Sequence, residues 1–176
     1  MKRAVITRER VVESQKADRI IGGKGVTFIG LRESHFEDDL ANRGIENKIR
    51  NIITELNPVK IFTHSSDDAH QDHRATFRIV LRLHRRMRLK SDLYTFDVWH
   101  IINLKKRNKP KLVVDISDTF ETKIKALKAF KSQFDLAAFY NYLTINNFLF
   151  FMVYVKDALN GIKNNTKYAE VFYKIR

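Results

Sequence analysis

The stretch "NPVKIFTHSSDDAHQDHRA", residues 57–75, constrains the chain more than any other. A proline opens an apolar run rich in β-formers, "VKIFT" (59–63). A polar loop (64–72) follows, and then a helical pattern from about 73 to 89. A strand that feeds a helix through a short polar loop is half of a β-α-β unit, which commits a chain to layered α/β architecture.

The rest of the sequence repeats that alternation. Residues 9–21 read as a helix stopped by Gly22 and Gly23, because glycine takes the left-handed turn after a last helical turn at no steric cost. "GVTFIGL" (25–31) reads as a strand and "RESHFEDDLANRG" (32–44) as a polar loop. Ile45, Ile49, Ile52, Ile53 and Leu56 share one helical face, ended by Asn57-Pro58. Strands are expected at 93–101 and 112–117, with Ser117 or Asp118 capping a helix over 119–134. Residues 135–160 read as mostly helical, and "YAEVFYKIR" closes the chain. The expectation is one α/β domain over 1–176 with a largely parallel sheet. Ligands of such sheets bind beyond the carboxyl ends of the strands. Loops 32–44 and 64–72 are both expected on that edge.

Composition narrows the chemistry. There is no cysteine, so any metal must be held by nitrogen and oxygen. The longest apolar run, "FLFFMVYV" (148–155), is far short of the roughly 20 residues that span a bilayer. The polar N-terminus has no secretion-signal pattern, so a cytoplasmic location is expected. Lys+Arg 33 against Asp+Glu 20 gives a net charge of +13, a balance that suits polyanions as well as a solvated surface.

The loop after the second expected strand gathers His64, His70 and His73 with Asp67, Asp68 and Asp72. Neutral imidazole is the commonest transition-metal ligand, and a carboxylate commonly orients such a ring through its second nitrogen. Asp72 is placed to do so for His70 or His73. The same pattern also suits a polar loop whose aspartate caps a helix.

Residues 57–75 closely resemble the second signature of the LmbE-like/PIG-L family of zinc-dependent N-deacetylases, in which an "H-x-D-H" element opens a helix. "RVVES" (10–14) resembles the family's "R-x-x-E" helix start. Further similarities are Val114–Ser117, Lys123–Leu127, Lys131–Gln133 and "YAEVF" at 168–172. The resemblance implies a Rossmann-like three-layer fold, a zinc cofactor and hydrolysis of the amide of an N-acetylated sugar. It implies His73 as a zinc ligand, His70 as general acid or oxyanion-stabilising imidazole, and Asp72 as orienting carboxylate. It implies Arg10 as a substrate contact, with Glu33, Asp38 or Asp39 as the acidic sugar contact. The family's first signature, "A-H-P-D-D-E", supplies two more zinc ligands and the general base, and this sequence does not contain it. "SHFEDD" (34–39) follows the wrong strand to replace it. The expectations are therefore a truncated or degenerate member, with first strands missing and an exposed hydrophobic sheet edge. A complementing N-terminal fragment or a homo-oligomer could complete it, and His64, His70 or Asp68 are at hand for a makeshift metal site.

A second reading comes from charge alone. Arg74, Arg78 and Arg82 lie four apart on one helix face, with Arg85, Arg86, Arg88 and Lys90 beyond them. Lys105, Lys106, Arg107, Lys109 and Lys111 form a basic loop. Such a patch binds nucleic acid through phosphate. The simpler reading is a solvated face. Trp99, Tyr140, Tyr142, Phe148, Phe150 and Phe151 read as core, and His84 as a surface helix residue.

Overall fold

The computed structural model describes residues 2–42, 44–98, 111–132 and 145–176. Trp99, His100, Tyr140, Tyr142 and most of the basic loop fall outside them. The elements run α1 (Lys2–Ile20), α2 (Phe36–Asn42), α3 (Ile45–Leu56), β1 (Lys60–His64), α4 (Gln71–Arg86), β2 (Asp92–Phe96), β3 (Lys111–Asp115), α5 (Phe120–Leu127), α6 (Ile145–Lys163) and β4 (Ala169–Lys174). The α/β expectation holds. The chain forms two compact units, residues 1–28 with 114–170, and residues 29–113 with 171–176.

In the unit built on residues 29–113, the sheet order is β1-β2-β4-β3. β1 and β2 are parallel, with Phe62 opposite Tyr94 and His64 opposite Phe96. β2 and β4 are antiparallel, so the sheet is mixed. β1 lies at the edge of the sheet, where Phe62 is 44% exposed and the preceding Val59 77%. Phe62 stacks on Tyr94 with ring centroids 5.4 Å apart and meets Phe172 edge-on at 4.9 Å.

The helices follow their patterns. The left-handed Asn57 (φ 40°) ends α3, its N–H bonding to the Ile53 carbonyl at 2.9 Å, and Pro58 cannot continue the helix. α4 buries Ala75, Ile79 and Leu83 at four-residue spacing. Ile79 and Leu83 join Leu40 and Ile45 in a core shared by α2, α3 and α4. Leu83, 1% exposed, contributes roughly 2 kcal/mol by burial.

Four expectations change. Residues 25–31 form no strand. A lone extended segment gains little without a partner ladder, and Ile29 and Leu31 instead pack on the α2–α4 core. Inside the expected loop 32–44, Phe36–Asn42 is helical: Phe36 and Leu40 meet the core at four-residue spacing, and Glu37, Asp38 and Asp39 favour the positive end of the helix dipole. Neither Ser117 nor Asp118 caps α5. Thr119 precedes the helix without a side-chain cap, and the Ser117 N–H donates to Asp115. His84 is buried, its ring nitrogen 2.7 Å from the Ser91 carbonyl, which ties the end of α4 to the start of β2.

The other unit packs Ala17 of α1 against Ala126 and Ala129, small residues that let helices approach closely. The Glu13 carboxylate accepts the Ser132 N–H at 2.7 Å and its hydroxyl at 2.6 Å. Phe120 stacks on Tyr168 at 3.9 Å. On α6, Phe151 is 59% exposed and so lies outside the expected core. No helix among the described residues is long and apolar enough to cross a membrane.

Candidate metal centre

The carboxyl end of β1 delivers His64, the loop delivers Asp68, and the first turn of α4 delivers His73. These three can each turn a ligand atom into one group, all within 4.8 Å of one another. The loop holds its shape through its own polar groups. Asp68 Oδ1 accepts the His70 N–H at 2.9 Å, and Arg74 donates to the carbonyls of Asp68 (2.6 Å) and Ala69 (2.7 Å). His70 occupies the N-cap of α4, where its Nδ1 accepts the Asp72 N–H at 3.2 Å. That contact leaves the neutral ring its proton on Nε2.

Asp68 also sits 2.9 Å from His73 Nδ1. The pairing of a carboxylate with the second nitrogen of an imidazole is the arrangement that orients metal-bound histidines. The His64 and His73 rings stack in parallel, centroids 3.9 Å apart and planes within 1°. Phe96 tilts against His64 at 5.0 Å, and His70 lies 4.9 Å from His73. Burial lowers the His64 pKa from 6.5 to about 4; the neighbouring His73 adds to this and Asp68 opposes it. His64 is therefore neutral at physiological pH, the form that binds metals.

Two buried atoms of the cluster have no hydrogen-bond partner among the described residues: His64 Nδ1 and Asp68 Oδ2. Asp68 is 1% exposed. Buried polar atoms without partners cost free energy, so an orphaned nitrogen and an orphaned oxygen side by side fit a cation as the absent partner. The donor set, two imidazoles and a carboxylate, suits zinc.

The other expected residues fall as follows. The Asp72 carboxylate lies on the Ser34 N–H, at 3.0 and 3.2 Å, and the carboxylate against a histidine ring is that of Asp68. Asp39 is 1% exposed and clasped by Arg32 through its backbone N–H (2.8 Å) and guanidinium (2.7 Å). Asp38 is exposed and lines a polar cleft of about 200 Å³ with Ser34, His35, Gln71 and Arg78. Arg10 lies on α1, in the other unit. The part played by Ser34, whose backbone is left-handed (φ 64°), left no sequence signal. Much of the basic face of α4 is engaged internally: Arg78 pairs with Glu37 at 2.6 Å, and Arg82 and Arg86 pair with Glu46 at 3.8 and 2.9 Å.

The family model PIG-L, GlcNAc-PI de-N-acetylase, matches residues 2–84, which include the whole cluster. The chain is 30% identical over 137 residues to a probable N-acetyl-alpha-D-glucosaminyl L-malate deacetylase 2 of Bacillus cereus. That match covers 74% of this chain and 60% of the relative, so the chain spans about three-fifths of that protein's length. Among solved structures, the fold is similar to N,N'-diacetylchitobiose deacetylase from Pyrococcus horikoshii (TM-score 0.69, 19% identity, 97% of this chain and 64% of that one). It is also similar to GalB, a 4-carboxy-2-hydroxymuconate hydratase from Pseudomonas putida (TM-score 0.66, 15% identity, 100% and 75%). The fold thus carries more than one chemistry, and the likeness to these structures shows the fold alone. Through residues 2–84, which hold the histidine loop, the chain is similar to the PIG-L (LmbE-like) family of N-deacetylases.

Proposed function

We propose that this chain is the metal-binding part of a zinc-dependent hydrolase that removes the acetyl group from an N-acetylated sugar. The observation that carries the reading is the His64–Asp68–His73 cluster with its two orphaned buried atoms, beside the His70 ring 4.9 Å from that of His73. The relative's name, a deacetylase of an N-acetylglucosaminyl malate, supports the substrate class.

His73 would hold the ion, its ring steadied by Asp68. A bound zinc would supply Lewis acidity toward the amide carbonyl and toward water. The chain's own contribution is proton placement. With Nδ1 held by the Asp72 N–H, the neutral His70 ring carries its proton on Nε2. It can stabilise the developing oxyanion, or protonate the amine as the carbon–nitrogen bond breaks and acetate and the free amino sugar leave. Asp72 acts at one remove: it anchors the start of α4 to Ser34, and its N–H fixes the His70 tautomer. By the resemblance, the base that takes the proton from the attacking water belongs to the first signature. Asp38 at the polar cleft is the acidic residue we assign to sugar hydroxyls; Arg10 is a substrate contact by the resemblance alone.

The test is amine release from N-acetylglucosaminyl malate and from N,N'-diacetylchitobiose by the zinc-supplied protein, with a segment that carries the first signature added. We expect release that falls about 10²–10³-fold in His70→Ala. No release from either substrate would contradict the reading. Binding to nucleic acid rests on charge alone, and the ion pairs of Arg78, Arg82 and Arg86 leave that patch weaker than its sequence implies.

A further inference from the structure

The last long helix, α6, turns an apolar face to solvent. Phe151, Tyr154 and Ile162 are exposed by 59, 49 and 72%. Phe151 and Ile162 stand eleven residues apart, close to three full turns, so they share one line of about 16 Å along the helix. Val155 and Ala158, both half-buried, fall between them near the same line, and Tyr154 lies about 60° to one side. None of the charged residues of α6, Lys156, Asp157 and Lys163, falls in that stripe. A surface helix ordinarily turns its apolar stripe inward and its charges outward. In α6 a charge is inside: Asp157 is 1% exposed and accepts a hydrogen bond from Lys123.

We propose that this face docks the protein on an anionic lipid surface, with α6 lying in the plane of the interface. The face belongs to the unit of residues 1–28 and 114–170, not to that of the histidine loop, so the proposal stands or falls apart from the deacetylase reading.

Charge selects the occupant. The chain carries +13, so a second copy on this face would bring like charge to like charge, whereas an anionic bilayer attracts it. The positive charge is also local. Lys128 lies over the Phe150 ring, 5.8 Å from its centroid. Lys167 lies over the Tyr168 ring at 5.5 Å, and that ring meets Tyr154 edge-on at 5.5 Å. Lys163 ends α6 and is exposed. Lysines at the rim of an apolar face reach phosphates while their stems stay on the apolar side. The side chains of the face agree with that choice. An aromatic ring, a phenol and a branched aliphatic chain suit the boundary between headgroups and acyl chains. Lying along the surface is also the mode that this helix allows. Lys156 and Asp157 interrupt its apolar run, and no helix among the described residues is long and apolar enough to cross a membrane.

The test is flotation of the 176-residue protein with two kinds of vesicle, phosphatidylcholine alone and phosphatidylcholine mixed with phosphatidylglycerol. We expect binding to the mixed vesicles about tenfold or more tighter than to the neutral ones, weakening as salt rises. Phe151→Ser with Ile162→Ser should weaken it by about tenfold or more, because both remove apolar surface from the docked face. Lys163→Glu with Lys167→Glu should weaken it by about tenfold as well. Leu56→Ser with Val59→Ser removes equally exposed apolar side chains from the other unit and should leave binding unchanged. All six positions are exposed, and circular dichroism checks that each variant is folded. No binding to the mixed vesicles overturns the proposal. So does full binding by the Phe151→Ser, Ile162→Ser variant, which would make the attraction one of charge alone. Equal binding to neutral and mixed vesicles removes the charge argument and overturns it too. A dimer in gel filtration that the same variant dissociates, with no binding to vesicles, would assign the face to a second copy instead.

Discussion

Two buried polar clusters, one in each unit, make an instructive pair. In the unit of residues 1–28 and 114–170, Lys123 donates to Asp157 at 2.7 Å and to Glu170. Asp157 is 1% exposed, and burial pushes its pKa up while Lys123 pulls it down. That cluster closes on itself. The His64–Asp68–His73 cluster is just as tightly built, yet it leaves a nitrogen and an oxygen buried without partners. Burial of charge or polarity does not by itself mark a functional site, since both clusters have it. The mark is a donor set left incomplete on a rigid frame.

Substitutions should separate the two kinds of cluster. The largest effect is on activity. His73→Ala is expected to lower zinc-dependent amine release by on the order of 10³-fold, while circular dichroism shows an intact fold. The next is on stability. Lys123→Ala strands Asp157 and is expected to destabilise by about 3 kcal/mol in a urea melt. Metal-free Asp68→Asn should change stability by about 1 kcal/mol or less, because that cluster is not closed.

Acidity should move the clusters in opposite senses. The native chain binds fewer protons at His64 than the unfolded chain between about 4 and 6.5. Its contribution is therefore fully present above 6.5 and is lost as the pH falls toward 4. The raised pKa of Asp157 has the reverse sign: its contribution is full below the ordinary 3.8 and is lost as the pH rises through its folded value. Metal-free His64→Ala should flatten the loss of stability between pH 6.5 and 4, as read by thermal melts. The smallest effect belongs to the exposed pairs. Arg86→Ala breaks a half-exposed contact with Glu46 and should cost less than about 0.5 kcal/mol.

The contrast also explains what the sequence could tell. α3 was legible to the residue, because five apolar side chains repeat at helical spacing and Asn-Pro ends them. β1, β2 and α4 were legible for similar reasons of pattern and length. The residues 25–31 were not, because β-propensity describes a side chain's fit to a sheet, and here no ladder receives it. The short α2 hid inside a polar segment whose acidic residues read equally as loop. At the site, His70 and His73 stood out by spacing and by resemblance. The carboxylate against the histidine did not: Asp72 is the neighbour in sequence, but α4 turns it toward Ser34, and Asp68, five residues before His73, reaches the ring through the loop. The two orphaned atoms exist only in three dimensions, since a missing partner has no sequence pattern.

The most direct test of the central claim is a count of zinc per chain after equilibrium dialysis at neutral pH, for the unaltered protein, His73→Ala and Lys123→Ala. The account predicts one zinc in the unaltered chain and in folded Lys123→Ala, and none in His73→Ala. No zinc in the unaltered chain, or zinc retained by His73→Ala, would contradict it.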